Sequence, residues 1–162
     1  MSKVVLVTGG SSGIGKSIAN YLNSKNGFIV YCTSRNLKNL TNVNFHPLKL
    51  DVSSEVSIKK CVNHIIEAHG KIDVLINNAG VGITGPLEEI PNSEIEKHFK
   101  TNLYGPINLI KKVLPYMRVE NKGLIINITS IAGHIGTPYR SVYSAGKSSL
   151  DIISETLNME VK

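Results

Sequence analysis

The sequence predicts one α/β domain built on a doubly wound, parallel sheet with helices on both faces. Three observations carry this. Apolar runs of strand length alternate with amphipathic stretches of helical period along the whole chain, and a glycine-rich turn joins the first strand to the first helix. The 162 residues, 41% apolar and 19% charged, suit one core and are too few for two. Strands that alternate with helices must run parallel and be joined by right-handed crossovers.

The elements follow in order. Lys3–Thr8 (KVVLVT) reads as a buried strand, and Ile14–Ser24 as a helix with Ile14, Ile18, Tyr21 and Leu22 on one face. Phe28–Thr33 (FIVYCT) is a second strand, and after a polar, Asn-rich loop Phe45–Leu50 is a shorter third. Ser53–His69 carries Val56, Ile58, Cys61, Val62, Ile65 and Ile66 at helical spacing, with Ser53 or Ser54 as its cap. Ile72–Asn77 (IDVLIN) is the fourth strand. Asn78–Pro91 is a loop containing Gly and Pro, long enough to have a functional role. Pro91–Met117 is mostly helical, with a bend expected at Gly105 and Pro106. Gly123–Thr129 (GLIINIT) is the fifth strand, and past the loop Ser130–Pro138 a helix begins near Tyr139 and runs to the end. No repeat, linker or low-complexity segment interrupts residues 1–162, which read as a single domain.

Composition excludes several classes of function. The 18 Lys and Arg against 12 Asp and Glu leave a net charge of +6, but the basic residues are dispersed and aromatics are only 6%, so no nucleic-acid footprint is indicated. No run reaches the roughly 18 apolar residues of a membrane span, and the start MSKVVLV lacks the parts of a signal peptide. A soluble, cytoplasmic protein without membrane partners is expected. Cys32 and Cys61 lack metal or disulfide spacing and read as reduced core thiols. Of the five histidines, His46 enters the third strand, while His64, His69 and His98 sit on helices as surface or cap residues. His134 lies in the Ser130–Pro138 loop, which should border a substrate.

Chemistry first shows in the segment Thr8, Gly9, Gly10, Ser11, Ser12, Gly13, Ile14, Gly15, where the first strand becomes a helix. Glycines there permit a tight turn and let backbone N–H groups approach a phosphate, and the helix N-terminus adds partial positive charge. The residues from Gly10 to Ser17 also fit GxxxxGK(S/T), the P-loop of ATP- and GTP-binding proteins. The nearest magnesium-binding acid for a P-loop, Asp51, follows an apolar run interrupted by Lys49, which weighs against that reading. Dinucleotide folds that choose NAD(H) carry an acid about 20 residues on, and NADP(H) binders replace it with an arginine nearby. The position here reads Thr33, Ser34, Arg35, Asn36, so NADP(H) is favoured over NAD(H).

Tyr143 and Lys147 stand four residues apart, one turn apart on one helix face. The ammonium stabilises a phenolate, which suits the tyrosine to exchanging a proton with an alcohol or ketone. Ser130 follows the fifth strand at the sheet edge where α/β folds bind ligands, and its hydroxyl can polarise the same carbonyl. Tyr139 is the nearest competitor, but Tyr143, not a lysine, stands four residues after it.

Taken together, the glycine loop, Asp51 and Val52, the run Asn77, Asn78, Ala79, Gly80, then Asn102, Ser130, and Tyr143 with Lys147 resemble the short-chain dehydrogenase/reductase family in its classical form. The order and spacing agree over essentially the whole chain. The resemblance implies a Rossmann-type fold and reversible hydride transfer between NADP(H) and a small-molecule carbonyl or alcohol. Tyr143 would be the general acid/base, Ser130 would orient the carbonyl, and Lys147 would bind the nicotinamide ribose and favour the phenolate. Asn102 would hold a water that links Lys147 to solvent. The glycine loop would bind the pyrophosphate, Asp51 and Val52 the adenine, and Asn78, Ala79 and Gly80 the central part of the cofactor. No metal is needed. The family also implies a homodimer or homotetramer through the two long helices. Its members continue past the tyrosine helix with a strand, a helical segment and a final strand, so this chain is expected to lack that C-terminal part. A non-catalytic dinucleotide-binding fragment is the alternative, and a P-loop protein the more distant one.

Overall fold

A computed structural model describes residues 2–40 and 43–161. Thr41 and Asn42, within the Asn-rich loop, lie outside the described residues. Five parallel strands, β1 (Lys3–Val7), β2 (Phe28–Ser34), β3 (His46–Lys49), β4 (Val74–Asn77) and β5 (Leu124–Asn127), form one sheet in the order β3-β2-β1-β4-β5. This is the first five positions of the dinucleotide-binding sheet, with the switch of direction between β1 and β4.

Burial on both faces explains why β1 is apolar at every position after Lys3. Val4 and Leu6 point into a core made with α2 (Glu55–His69) and α4 (Gly105–Val119), which contribute Ile58, Val62, Ile65, Leu109 and Val113. Val5 and Val7 point to the opposite face, against Ala19, Ile18 and Leu22 of α1 (Gly13–Asn23). Here the expected face of α1 is corrected. Ile18 and Leu22 pack inward, but Ile14 and Tyr21 are 61% and 63% exposed, and Gly15 and Ala19 form the buried contact. The helix lies so close to the β1 turn that only small side chains fit beneath it. Val56 is likewise exposed on α2, outside the stripe formed by Ile58, Cys61, Val62 and Ile65.

Ser54 caps α2 by accepting the Ser57 N–H at 3.3 Å, which decides between the two serines. The stretch read as one bent helix is α3 (Asn92–Phe99), a π-helical turn (Lys100–Tyr104), then α4. The irregularity therefore precedes Gly105 and Pro106, and the proline sits harmlessly in the first turn of α4. The last helix, α5 (Ser141–Glu160), starts two residues later than expected because Tyr139 has φ +64° and cannot belong to it. A polar chain holds α5 to the sheet: Asn77 Nδ2 donates to Asn127 Oδ1 (2.8 Å), Asn127 Nδ2 to Ser154 Oγ (2.8 Å), and Ser154 Oγ to the Leu150 carbonyl (2.6 Å).

Cys32 and Cys61 are free and buried, and burial pushes their thiols up to about 11 and about 12. Among the described residues no helix is long and apolar enough to cross a membrane, and no group of side chains is arranged to hold a metal ion.

Candidate active site

The loops after β1, β2, β3 and β4 converge at the carboxyl edge of the sheet on a cleft of about 290 Å³. Gly9, Ser11, Ser12, Arg35, Asp51, Val52, Asn78, Ala79 and Gly80 all line it, as does Thr101, which the motifs did not point to. Thr8 shapes this cleft from beneath. It is 1% exposed, and its hydroxyl accepts the N–H groups of Asn78 and Ala79 at 3.0 Å each, stitching the end of β1 to the end of β4. Asn78 returns the bond, its Nδ2 donating to the carbonyls of Thr8 (2.9 Å) and Gly9 (3.1 Å). Gly9 is obligatory: its φ is +71°, and a Cβ there would lie 2.7 Å from the Ala79 Cα. A Cβ on Gly15 would strike Asn78 Nδ2 and the Gly9 carbonyl. Gly13 has φ +54° with open space around it, and Ile14 is exposed.

A pyrophosphate fits this loop. The Ser12 side chain makes no capping bond and the first turn of α1 holds no acid, so the N–H groups at its start are left for a ligand anion. Ser34 and exposed Arg35 end β2 without a carboxylate. Asp51 accepts the Ser53 hydroxyl at 2.7 Å and the Ser53 N–H at 2.9 Å. The hydroxyl bond is foremost in holding its carboxyl below the usual range, against a smaller effect of burial, and the charge of Arg35 acts in the same direction as the bonds. Lys16 is exposed. The order β3-β2-β1-β4-β5 is that of the dinucleotide-binding sheet, which favours that reading of Gly10 to Ser17 over the P-loop.

The other half of the site comes from β5, α5 and the π turn. Tyr143 and Lys147 occupy successive turns of α5, beside the loop where Ser130 begins a short 3-10 segment. Ser130 Oγ accepts the Ala132 N–H at 3.2 Å, which leaves its own hydroxyl proton uncommitted by that bond. Lys147 is 7% exposed, and its Nζ donates to the Ile128 carbonyl at the end of β5 at 2.6 Å. Burial pushes its pKa down, and Asp151, one turn on, opposes that. The Arg140 guanidinium stands 5.4 Å from the centre of the half-buried Tyr143 ring.

Asn102 sits in the π turn, 1% exposed, with Oδ1 accepting the Val81 N–H and Nδ2 donating to the Val81 carbonyl, both at 2.8 Å. Its carboxamide is thus committed to pinning the loop after β4. π turns recur at functional sites because they re-aim one side chain out of the helical register. The Gly85 N–H donates to the Tyr139 carbonyl at 3.0 Å, so the loops after β4 and β5 meet. Tyr139 itself is exposed and outside the helix.

One histidine differs from expectation. His98 is not a surface residue: it is 1% exposed, its ring centre 5.8 Å from that of Tyr143, with Asn102 Nδ2 3.3 Å from its Nδ1. Its four-residue spacing from Asn102 was the available signal. His134 is largely exposed, with its Nε2 3.4 Å from Asp151 Oδ2 on α5. His46 and His69 pack on Tyr31, whose hydroxyl lies 2.8 Å from His69 Nε2.

A parallel sheet with a phosphate-ready turn after β1 and a Tyr/Lys helix after β5 defines a dinucleotide-binding oxidoreductase class. Residues 3–162 match the family model described as short chain dehydrogenase, and the chain belongs to the short-chain dehydrogenase/reductase family. It is 46% identical over 160 residues to a 3-ketodihydrosphingosine reductase of Bacteroides thetaiotaomicron, covering 98% of this chain and 58% of that protein. A short-chain dehydrogenase from Streptomyces avermitilis superposes with TM-score 0.95 at 34% identity over 99% of this chain and 61% of that one. An actinorhodin polyketide ketoreductase solved with NADPH superposes with TM-score 0.93 at 32% identity, over 99% of this chain and 65% of that one. The chain therefore spans about three fifths of the length of these relatives.

Proposed function

We propose that this chain provides the NADP(H) site and the proton-transfer residues of a carbonyl reductase or alcohol dehydrogenase. The observation that carries the reading is the placement of Tyr143 and a buried Lys147 on successive turns of α5, with Ser130 at the adjoining strand end and the dinucleotide cleft at the same sheet edge. Bound nicotinamide supplies or accepts the hydride. Tyr143 Oη gives its proton to the carbonyl oxygen during reduction and takes it back during oxidation. Ser130 Oγ donates a hydrogen bond to the same oxygen and aligns it, and Lys147, fixed by the Ile128 carbonyl, sets the positive field in which Tyr143 gives up its proton. The glycine loop and the start of α1 would hold the pyrophosphate, and Asp51 and Val52, which line the same cleft, would bind the adenine. Arg35, with no acid beside it at the end of β2, selects the 2′-phosphate, and NADPH in the actinorhodin ketoreductase relative supports that choice.

The Bacteroides relative is named for a long-chain β-keto amine, which places 3-ketodihydrosphingosine first among substrates to test, followed by simple aldehydes and ketones. The assay is NADPH oxidation followed by absorbance. Tyr143→Phe should lower kcat on the order of 10²- to 10⁴-fold with NADPH affinity little changed; a Tyr143→Phe protein that still turns over rapidly defeats the reading. Because the chain spans 58% of that relative, a second reading is a part that binds NADPH without consuming it. Calorimetric binding with no turnover across the panel would select that one.

A further inference from the structure

α3 is otherwise a polar and mostly exposed helix, yet its His98 is 1% exposed. An imidazole taken out of water needs partners. Asn102 Nδ2 lies 3.3 Å from Nδ1 and 3.4 Å from Nε2, and the ring leans on Tyr143 at 57° with centres 5.8 Å apart. A third neighbour is read from what is missing. A Cβ on Gly146 would lie 2.7 Å from His98 Nε2 and 3.3 Å from Cδ2. Glycine is unfavourable inside a helix, and Gly146 stands in the second turn of the 20-residue α5, past its first four residues and directly before Lys147. The room it leaves is occupied by the His98 ring, so the turn that carries Tyr143 and Lys147 is seated on that ring.

We propose that His98 is a positioning residue of this site: its neutral imidazole seats the Tyr143 and Lys147 turn of α5 and holds the Asn102 carboxamide that pins the loop after β4. The proposal rests on the reading of Tyr143 as the acid/base. A neutral imidazole can accept the Asn102 Nδ2 proton, whereas an imidazolium offers only donors. Protonation would therefore turn a donor against a donor and set a second cation beside Lys147. The titratable and charged groups around the ring are Tyr143 and Lys147 from α5, with Arg140 against the Tyr143 ring and Asp151 a turn past Lys147. Among the described residues no carboxylate pairs with His98 itself. Burial accordingly pushes the imidazole below its ordinary 6.5; the Val81 backbone bond opposes this, and Lys147 adds to it. The ring stays neutral through the physiological range, and the site loses its geometry only in acid.

The test uses the protein labelled with 13C at histidine and tyrosine, followed by NMR from about pH 5 to 8, the range in which histidines titrate. The Tyr143 ring signals should inflect with the His98 midpoint, below that of an exposed histidine, and His98→Gln should abolish the inflection. In the NADPH oxidation assay, His98→Leu should lower kcat on the order of tenfold with KM for NADPH little changed. His98→Gln, which restores an acceptor oxygen without a titrating group, should recover part of that loss and remove the acid limb of the pH profile. Tyr143 signals indifferent to His98, an acid limb that survives in His98→Gln, or a His98→Leu protein altered only in thermal stability each overturn the proposal. If the leucine variant does not fold, the spectra and the glutamine variant still decide. An active Tyr143→Phe protein overturns the catalytic reading alone, since the coupling between the two rings is read without turnover.

Discussion

Arg35 stands where a carboxylate would select NAD(H), and its exposed guanidinium has no carboxylate within ion-pair distance among the described residues. A charge-assisted bond to the 2′-phosphate is worth about 1.5–3 kcal/mol, so Arg35→Ala should weaken NADPH binding on the order of 10- to 100-fold and leave NADH almost unchanged. Calorimetric titration of both cofactors checks this, and a preserved ratio removes Arg35 from the assignment. Asp73 shows the same physics in a structural role. Its carboxylate accepts the Val4 N–H at 2.7 Å and pairs with Lys71 at 2.9 Å, joining the start of β1 to the start of β4. Burial alone would push its pKa up, but the Val4 bond and the charges of Lys71 and Lys122 outweigh it and hold the carboxyl below 3.8. A lowered carboxylate stabilises the fold above its unfolded value and loses that contribution as the pH falls through the folded one. Asp73→Asn should therefore lower the urea midpoint at neutral pH and flatten the decline in acid below about pH 4, where aspartates titrate.

At the level of elements, the strands were legible to within two residues because buried parallel strands are apolar at consecutive positions, as Val4 to Val7 are. The face of α1 was not, because the helix approaches the β1 turn so closely that Gly15 and Ala19 make the contact, and the large side chains Ile14 and Tyr21 fall outside it. Apolar periodicity weights size, and here the closest packing selects against size. That Tyr143 and Lys147, the proposed proton-transfer pair, share a turn-to-turn placement on α5 was legible because four-residue spacing fixes a helix face before any tertiary contact forms. His98 and the π turn were not, since the ring is buried by α5, about 45 residues away in sequence, and the extra residue in the turn leaves no local mark. The cap of α2 offers a measurement at this scale. Ser54→Ala should cost about 1 kcal/mol by chemical denaturation, whereas Ser53→Ala, which removes one of two bonds to Asp51 at an exposed position, should cost less.

For the whole molecule, the sheet is covered on both faces but open along β5, which no strand borders on its outer side among the described residues. Leu124 is 52% and Ile126 37% exposed, and a groove of about 530 Å³ lined by Leu124, Ile125, Met117, Leu157 and Val161 runs between β5, the end of α4 and α5. Unpaired N–H and C=O groups flanked by apolar side chains form a template for association. A second apolar surface competes with it, since Ile152 on α5 is 59% exposed and the long helices are the expected route to a homodimer or homotetramer. The two routes separate by mutation in a polypeptide of these 162 residues. Association through the strand edge places a backbone ladder beside Ile126, so Ile126→Lys should shift sedimentation toward monomer while NADPH binding, at the far ends of β1 and β4, is retained. Association through the helices predicts the reverse: Ile152→Glu dissociates the oligomer and Ile126→Lys leaves it intact. Because the exposed β5 edge joins apolar side chains to unsatisfied backbone, whereas Ile152 offers side-chain contact alone, the strand-edge variant is expected to have the larger effect.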